Sequence, residues 1–270
     1  MSATIAQTAV VDPRAQIGKH VRIGHFTVIG PHAKIGDGTQ IDEHVVVTGH
    51  STIGENNHLF PGTIVGAHPQ DKSYKETPTR VQIGDNNIFR EHCTVNRATE
   101  KEDGVTLVGN DNYFMAGTHI AHDCKVGDRI VIANNGMLGG HVKIGNDVTL
   151  AGGVGVSHFA SIGTLSFVSA MSLVLHDVPP YMIVDGRPTK PRAVNRIGLK
   201  RHDYTDDDVK TLTRAFKLLY RSRIGVEAAR EEMFATGPIR PVLSHLFDCL
   251  SHSAGGANGR GQDRRKKKAA

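Results

Sequence analysis

The sequence predicts a parallel β-helix built from hexapeptide repeats, followed by a small α-helical domain at its C-terminal end. Two observations predict this fold. Aliphatic residues recur at every sixth position through most of the first 174 residues, and 23 of the 30 glycines lie before residue 187. Six residues accommodate a short strand and a turn, and glycine supplies the backbone freedom that a tight turn needs. The repetitive β part is therefore expected to span residues 1–186 of the 270.

The regularity of the repeat separates a β-helix from other β folds. The repeat runs without a miss from Ile17 to Val65, returns from Ile83 to Val95, and continues one residue out of phase from Val108 to Val174. A small or slim residue follows four positions after most of the aliphatic ones, as expected for alternating side chains on a strand that ends in a turn. The strands of an ordinary β-sandwich do not keep a fixed period over this length.

Three hexads complete one triangular coil, so the 24 aliphatic positions predict about eight coils. Successive coils are expected to rise by ~4.8 Å, the spacing between neighbouring strands. The repeat is interrupted at 67–82 and at 96–107. We expect these two segments to project from the prism as loops, which are natural places for binding residues.

The region 187–250 is predicted to be a helical domain that covers the open end of the prism. Thr205 is an N-cap residue followed by an acidic first turn, and apolar residues then recur on one helical face up to Tyr220. A second helix is expected over 226–235, and a third is indicated by apolar residues between 242 and 250.

The tail and the charge balance bear on the class of protein. Residues 251–270 contain six Lys or Arg residues, one Asp and no apolar periodicity, so we expect a solvated, disordered basic tail. The rest of the chain has 26 basic and 26 acidic residues, which leaves the formal charge of +5 in the tail. A neutral body argues against binding of nucleic acid, although the sequence pI is about 9.1.

The cysteines and the hydropathy indicate a compartment. Three scattered cysteines are too few for a disulfide framework or a Cys-x-x-Cys metal site. The N-terminus lacks a signal-type apolar stretch, and no run approaches 18 apolar residues. A cytoplasmic protein without a transmembrane segment is therefore expected.

One short stretch of the repeat carries three protic side chains. Within 118–124, the repeat phase directs His119, His122 and Asp123 outward. One coil is about eighteen residues, so Gly140 is expected above His122, and His141 above Asp123. An imidazole beside a carboxylate and below an unshielded glycine N–H provides a general base, a residue that orients it and an oxyanion donor.

Two other interpretations of this stretch remain open. It is also compatible with a polar turn that has no function. His119, His122 and His141 could alternatively hold zinc, as histidines from neighbouring coils do in hexapeptide-repeat carbonic anhydrases. We favour the base because the adjacent Asp123 suits it, and we expect no metal and no cofactor.

A basic segment follows the last coil. Residues 187–201 contain six Lys or Arg residues and no acidic residue. Such a segment suits an anionic partner, either a diphosphate or an acidic carrier protein. A solvated linker that pairs with the acidic residues at 206–208 would show the same charges.

Taken together, these residues resemble the family of acyl-carrier-protein-dependent UDP-N-acetylglucosamine O-acyltransferases that begin lipid A biosynthesis. The similarity extends to about Leu250 and rests on Gln70-Asp71, Pro78-Thr79-Arg80, His119-Ile120-Ala121-His122-Asp123-Cys124, Ala133-Asn134-Asn135, Gly139-Gly140-His141, Asp177-Val178-Pro179-Pro180-Tyr181, Gly198-Leu199-Lys200-Arg201 and Lys217-Leu218-Leu219-Tyr220-Arg221-Ser222. The resemblance implies a left-handed coil, a homotrimer, and transfer of a 3-hydroxyacyl group from acyl carrier protein to the sugar 3-hydroxyl.

The resemblance also implies roles for individual residues. His122 is implied as the general base, Asp123 as the residue that orients it, and the Gly140 amide as the oxyanion donor. Ala170 is implied to limit how deep the acyl chain reaches. The residues implied to bind the substrates are Gln70, Asp71, His119, His141, His158, Asn195 and Arg201.

The sequence departs from the family pattern at three positions. Ser73 stands where a Lys is frequent, Ser157 where a His is common with His158 one place later, and Ile197 where an acidic residue is usual. Lys72 or Lys75 is expected to replace the missing ammonium group. Three alternative functions remain open: a related N-acyltransferase acting on a 3-amino UDP-sugar, a zinc-dependent carbonic anhydrase, and a purely structural solenoid.

Overall fold

The computed structural model describes residues 2–236 and 239–263. They form a left-handed parallel β-helix with a helical domain at its C-terminal end, which confirms the predicted fold class. The strands in chain order are β1 (Thr4–Ile5), β2 (Val10–Val11), β3 (Gln16–Ile17), β4 (Arg22–Ile23), β5 (Val28–Ile29), β6 (Lys34–Ile35), β7 (Gln40–Ile41), β8 (Val46–Val47), β9 (His50–Ile53), β10 (His58–Leu59), β11 (Ile64–Ala67), β12 (Arg80–Ile83), β13 (Ile88–Phe89), β14 (Thr94–Asn96), β15 (Val105–Val108), β16 (Tyr113–Phe114), β17 (His119–Ile120), β18 (Lys125–Val126), β19 (Val131–Ile132), β20 (Met137–Leu138), β21 (Lys143–Ile144), β22 (Thr149–Leu150), β23 (Gly155–Val156), β24 (Ser161–Ile162), β25 (Phe167–Val168), β26 (Leu173–Val174), β27 (Met182–Gly186) and β28 (Thr189–Val194).

Every third strand pairs in parallel, and this pairing produces the three faces of the prism. One sheet runs from β1 through β25 to the β27–β28 hairpin, the second runs from β2 to β26, and the third from β3 to β24. The second sheet has nine strands, so the described residues form about nine coils rather than the eight predicted. The extra coil lies at the N-terminus, where Ile5 and Val11 extend the six-residue period below Ile17.

The interior of the prism is narrow and filled as the repeat predicts. From Ile23 onward the aliphatic positions are buried on every face, and the slim residues four positions later, such as Thr27 and Cys124, are buried with them. Asn57, Asn87 and Asn112 occupy the slim position on three successive coils. The Asn87 Nδ2 donates to the Asn57 Oδ1 at 2.9 Å, and the Asn112 Nδ2 donates to the Asn87 Oδ1 at 2.8 Å. This ladder lies at the corner between the third and first sheets and holds together the coils that carry the two loops.

Both interruptions of the repeat are irregular segments, as predicted. The first lies between β11 and β12, and the second between β14 and β15. The flanking strands still pair with the coils on either side, for example Arg80 with Val105. The loops therefore extend from two neighbouring coils and can cover the same part of the prism wall.

The part of the C-terminal domain that the structure describes contains four α-helices: α1 (Arg196–Arg201), α2 (Asp206–Phe216), α3 (Val226–Ala235) and α4 (Pro241–Gly255). A π-helical stretch, Lys217–Ser222, continues α2, and a 3₁₀ turn, Ala257–Gly259, follows α4. Thr205 and Asp208 form the capping box at the start of α2. The expected domain boundary at 186/187 falls within the turn of the β27–β28 hairpin, so the first residues after it still belong to the sheet.

The expectation of a disordered tail from residue 251 is wrong for residues 251–263. Helix α4 continues to Gly255, and Arg260 and Asp263 are buried against the prism. The Arg260 Nη1 donates to the Leu175 carbonyl at 2.9 Å, and the Gly261 N–H donates to the Asp177 Oδ2 at 2.8 Å. These anchors are polar, so apolar periodicity could not reveal them. Residues 264–270 of the expected tail lie outside the described residues.

Replacing Arg260 with alanine is expected to lower Tm by several degrees, because the buried Asp263 carboxylate would then lose its ion pair with Arg260. Differential scanning calorimetry of the purified protein measures this shift. Arg14→Ala is the control, since it breaks an exposed ion pair with Asp12 and should leave Tm almost unchanged. Equal Tm values for the two variants would show that residues 256–263 do not stabilise the fold.

Within the described residues, no helix has the length and hydropathy needed to cross a bilayer.

Candidate functional site

A groove on the wall of the prism lies beside the predicted protic stretch. It encloses about 430 Å³ and follows strands β17, β20 and β23 of the second sheet. Outward residues of successive coils line it in register, because His119 pairs with Met137 and Met137 with Gly155. The lining residues are Gln70, His119, Ala121, His122, Met137, Leu138, Gly139, Gly140, Gly155, Val156, Ser157, Leu173 and Leu175.

His122 and Asp123 form a hydrogen-bonded pair at the corner between β17 and β18. The His122 Nδ1 lies 2.8 Å from the Asp123 Oδ2. A carboxylate only accepts hydrogen bonds, so Nδ1 carries the proton and Nε2 is left as the basic nitrogen. The His122 side chain remains 12% exposed and borders the groove. This is the geometry required of an oriented general base.

The repeat phase predicted that Asp123 points outward to solvent. In the structure its side chain is instead wholly buried. The loop between β14 and β15 covers it: the Thr99 N–H and hydroxyl donate to its carboxylate, the hydroxyl at 2.7 Å. Burial alone would raise the pKa of Asp123, but the hydrogen bonds from His122 and Thr99 outweigh burial and hold that pKa below its usual range. The carboxylate is therefore ionised when it orients His122.

Thr99 is a functional residue that sequence reasoning missed. It lies in the second interruption of the repeat, where the phase no longer says which way a side chain points. The interruption itself was the available signal, since it predicted a loop able to carry binding residues.

Gly140 lies directly above the His122 ring, as the eighteen-residue coil predicted. A Cβ at this position would stand 2.5 Å from the His122 Cε1, so only glycine lets the chain pass so close to the imidazole. Among the described residues, the Gly140 N–H has no hydrogen-bond acceptor. It is therefore available to a ligand beside the His122 Nε2.

His141 is buried behind Gly140. Its Nε2 lies 3.7 Å from the Asp123 Oδ2, and its Nδ1 lies 2.9 Å from the Glu102 Oε1. The Phe159 ring stacks on the imidazole with the centroids 4.4 Å apart. His141 thus lies beside Asp123 as predicted, with its ring orientation set by groups on three sides.

His119 and the first loop complete the surroundings of the groove. The His119 Nδ1 lies 2.7 Å from the Thr94 Oγ1. Burial, with a smaller contribution from His122, lowers the pKa of His119, so this imidazole is neutral at pH 7. Gln70 lines the groove and is followed by Asp71, whose pKa lies well below its usual range because Lys101 and Ser73 donate hydrogen bonds to it.

Seven of the predicted site residues do not line this groove in a single chain: Asp71, Asp123 and His141, described above, and His158, Ala170, Asn195 and Arg201. His158 and Ala170 are exposed at turns, with the His158 ring 5.6 Å from that of Phe159. Asn195 caps helix α1: its Oδ1 accepts from the Gly198 N–H at 3.0 Å and its Nδ2 donates to the Leu165 carbonyl. Arg201 is exposed at the end of the same helix.

Three side chains near Gly140 have donor atoms close enough together to bear on the zinc alternative. Ligand atoms of His122, Asp123 and His141 lie within 4.8 Å of one another, which is close enough to surround a cation. His119, the third histidine of that expectation, is not part of this cluster. Since the His122 Nδ1 already donates to Asp123, the observed hydrogen bonds match the arrangement of a general base.

Known proteins resemble this chain over nearly its whole length. The sequence profile described as UDP N-acetylglucosamine O-acyltransferase, domain 2, matches residues 177–261. A relative from Thiobacillus denitrificans, named acyl-[acyl-carrier-protein]–UDP-N-acetylglucosamine O-acyltransferase, is 44% identical over 94% of this chain and 98% of its own length. A relative of the same name from Leptothrix cholodnii is 48% identical over 88% of this chain and 89% of its own.

A solved structure supports the same family assignment. The UDP-N-acetylglucosamine acyltransferase of Francisella novicida superposes with a TM-score of 0.88 at 36% identity, covering 99% of this chain and all of that one. The agreement includes both the prism and the helical domain. At these levels of identity and coverage, the chain belongs to the family of acyl-carrier-protein-dependent UDP-N-acetylglucosamine O-acyltransferases.

Proposed function

We propose that this protein transfers a 3-hydroxyacyl group from acyl carrier protein to the 3-hydroxyl of UDP-N-acetylglucosamine, the first step of lipid A biosynthesis. One observation carries the proposal: His122 lies between the buried Asp123 carboxylate and the free Gly140 N–H, at the edge of a largely apolar groove. The names of the relatives support the same reaction.

The first chemical step uses the His122 Nε2. This nitrogen takes the proton of the sugar 3-hydroxyl while the hydroxyl oxygen attacks the thioester carbonyl. The imidazolium that forms is stabilised by the Asp123 carboxylate at 2.8 Å. The Gly140 N–H donates to the carbonyl oxygen as it becomes negatively charged.

Collapse of this tetrahedral intermediate breaks the carbon–sulfur bond. The leaving thiolate of the carrier protein takes the proton from His122, which restores the neutral imidazole. The products are the 3-O-acylated UDP-sugar and the free thiol. No covalent bond to the enzyme, no metal and no cofactor enters this balance.

The apolar part of the groove suits the acyl chain. Met137, Gly155 and Leu173 are outward residues of three successive coils, and they pair in register. They extend away from His122 in steps of ~4.8 Å. Ala170 precedes Leu173 by three residues, at the turn that leads into β26.

We expect Ala170 to limit the acyl chain length. Ala170→Gly should move the preferred chain longer and Ala170→Met should move it shorter, each by a rate ratio of about tenfold between neighbouring lengths. Competition among carrier-bound 3-hydroxyacyl chains of graded length measures this preference. If both variants prefer the same acyl chain length as the wild-type enzyme, Ala170 is excluded as the limiting residue.

A homotrimer would unite residues that lie at different corners of one prism. His122 lies at the corner between the second and third sheets. His202, next to Arg201, approaches Asp147 at the corner between the third and first sheets, with its Nδ1 3.7 Å from the Asp147 Oδ1. Three-fold symmetry brings unlike corners of neighbouring chains together. Asn195 and Arg201 of one chain would then face His122 of the next, where they contact the nucleotide.

Arg201→Ala is expected to raise KM for the UDP-sugar about tenfold with little change in kcat, because a guanidinium that holds a nonreacting phosphate stabilises ground and transition states alike. Steady-state kinetics at saturating acyl donor measure both constants. Co-expression of Arg201→Ala with an inactive His122→Ala chain should recover part of the low KM if the two residues act across subunits. An unchanged KM would exclude Arg201 from the nucleotide site.

The experiment that tests the function is incubation of the purified protein with 3-hydroxyacyl carrier protein and either UDP-N-acetylglucosamine or its 3-amino analogue. Mass spectrometry should show an O-acylated product. Preference for the amino sugar would instead support the N-acyltransferase. Stoichiometric zinc after dialysis, with no acylated product, would support the zinc-dependent carbonic anhydrase.

The cytoplasm is the proposed compartment. Acyl carrier protein and UDP-sugars are soluble there, and Cys93, Cys124 and Cys249 are all free thiols in the structure, as a reducing compartment allows.

A further inference from the structure

The loop between β14 and β15 reaches several groups of the site at once. Thr99 donates to Asp123, Lys101 pairs with Asp71, and Glu102 contacts His141. The next residue, Asp103, pairs with Lys125 on the third sheet, away from the groove. Adjacent residues of one short loop thus contact the first loop and the prism wall.

Lys101 supplies the ammonium group that the sequence led us to expect from Lys72 or Lys75. Its Nζ donates to the Asp71 Oδ2, while the Asp71 Oδ1 accepts from the Ser73 N–H and hydroxyl at 2.9 and 2.8 Å. Lys72 and Lys75 are exposed, and neither forms an ion pair within the described part of the chain. The partner of Asp71 therefore comes from the other loop.

Glu102 contacts His141 rather than the first loop. Its Oε1 lies 2.9 Å from the Nδ1 of the buried His141. Because a carboxylate accepts, the His141 Nδ1 carries a proton, and the ring presents its Nε2 toward Asp123. Glu102 thereby fixes the ring orientation of His141.

We infer that Lys101 and Glu102 are positioning residues for the UDP-sugar, which hold Asp71 and His141 in the geometry that binds it. The inference rests on the proposed function. It assigns a share of substrate affinity to Lys101 and Glu102, two residues of the loop 97–104 that the family resemblance does not name.

The test is steady-state kinetics of full-length variants with UDP-N-acetylglucosamine at saturating acyl donor. Lys101→Met should raise KM for the sugar nucleotide about tenfold and leave kcat within about twofold, as expected for lost ground-state binding. Lys101→Arg should recover most of the affinity, since it keeps the charge. Glu102→Gln should raise the same KM several-fold.

A double variant connects Lys101 to its partner. If Lys101 acts through Asp71, the double variant with Lys101→Met and Asp71→Asn should have almost the same KM as the single variant Asp71→Asn. If the rise in KM of the double variant instead equals the two single rises combined, the two side chains act independently and the inference is overturned.

Matched controls separate positioning from loop stability. Asp103→Asn removes an ion pair of the same loop that does not reach the groove, and Lys72→Met removes an exposed ammonium group of the first loop. Both should leave KM unchanged. An equal rise for Asp103→Asn would assign the effect to anchoring of the loop, and a rise for Lys72→Met with none for Lys101→Met would return the role to Lys72. Either result overturns the inference.

The inference and the proposed function fail in distinguishable ways. If the wild-type enzyme acylates UDP-N-acetylglucosamine and Lys101→Met keeps the wild-type KM, only the inference is wrong. If the wild-type enzyme acylates no UDP-sugar, the proposed function falls and the inference with it.

Discussion

His122→Ala should lower the rate of acyl transfer by ~10² to 10⁴, the range that general-base catalysis contributes. The variant loses the imidazole that borders both the groove and Gly140, while Asp123 keeps its hydrogen bonds from Thr99. The fold should therefore persist with a modest fall in Tm. Single-turnover assays with saturating substrates measure the chemical step, and circular dichroism checks the fold.

His25→Ala is the matched control for this variant. His25 occupies the same hexad phase, two residues before a slim inward residue, and its Nδ1 also has a neighbouring partner, the Thr8 Oγ1 at 2.8 Å. It lies near the N-terminal end of the prism and should have the wild-type rate. If His122→Ala retains more than about a tenth of the wild-type rate, another group takes the proton, since that loss is below the general-base range.

Gly140→Ala is expected to lower kcat by about 10²-fold through displacement of the base. The new Cβ would stand 2.5 Å from the His122 Cε1 and 2.7 Å from its Nε2, so the imidazole must move. A displacement of about 1 Å from the reactive geometry costs about that factor in rate. The backbone of residue 140 has an ordinary negative φ, so the substitution adds no strain of its own.

Gly152→Ala is the control for this substitution. It also lies at a corner of the prism, and its Cβ would meet nothing closer than 3.7 Å. It should therefore keep the wild-type kcat. Wild-type activity in Gly140→Ala would show that the ring can shift without loss, and a crystal structure of the variant would reveal where the imidazole lies.

The six-residue period is enough to predict the prism and the centre of the site. Both follow from one local rule, because each hexad buries its own aliphatic residue and stacks on the hexad eighteen residues earlier. The period therefore predicted the core and also placed Gly140 above His122 and His141 beside Asp123. Helix α2 was likewise predictable, since its capping box and apolar face are local signals.

The residues that cover and orient this centre come from long-range contacts, which only the folded chain reveals. Thr99, Lys101 and Glu102 lie in a segment without periodicity, and their partners are 24 to 39 residues away in the sequence. Residues 256–263 are held by polar contacts to Leu175 and Asp177, which no hydrophobic pattern marks. Asp123 illustrates the reason: its hexad phase points it outward, but whether an outward side chain is exposed depends on what the rest of the chain folds over it.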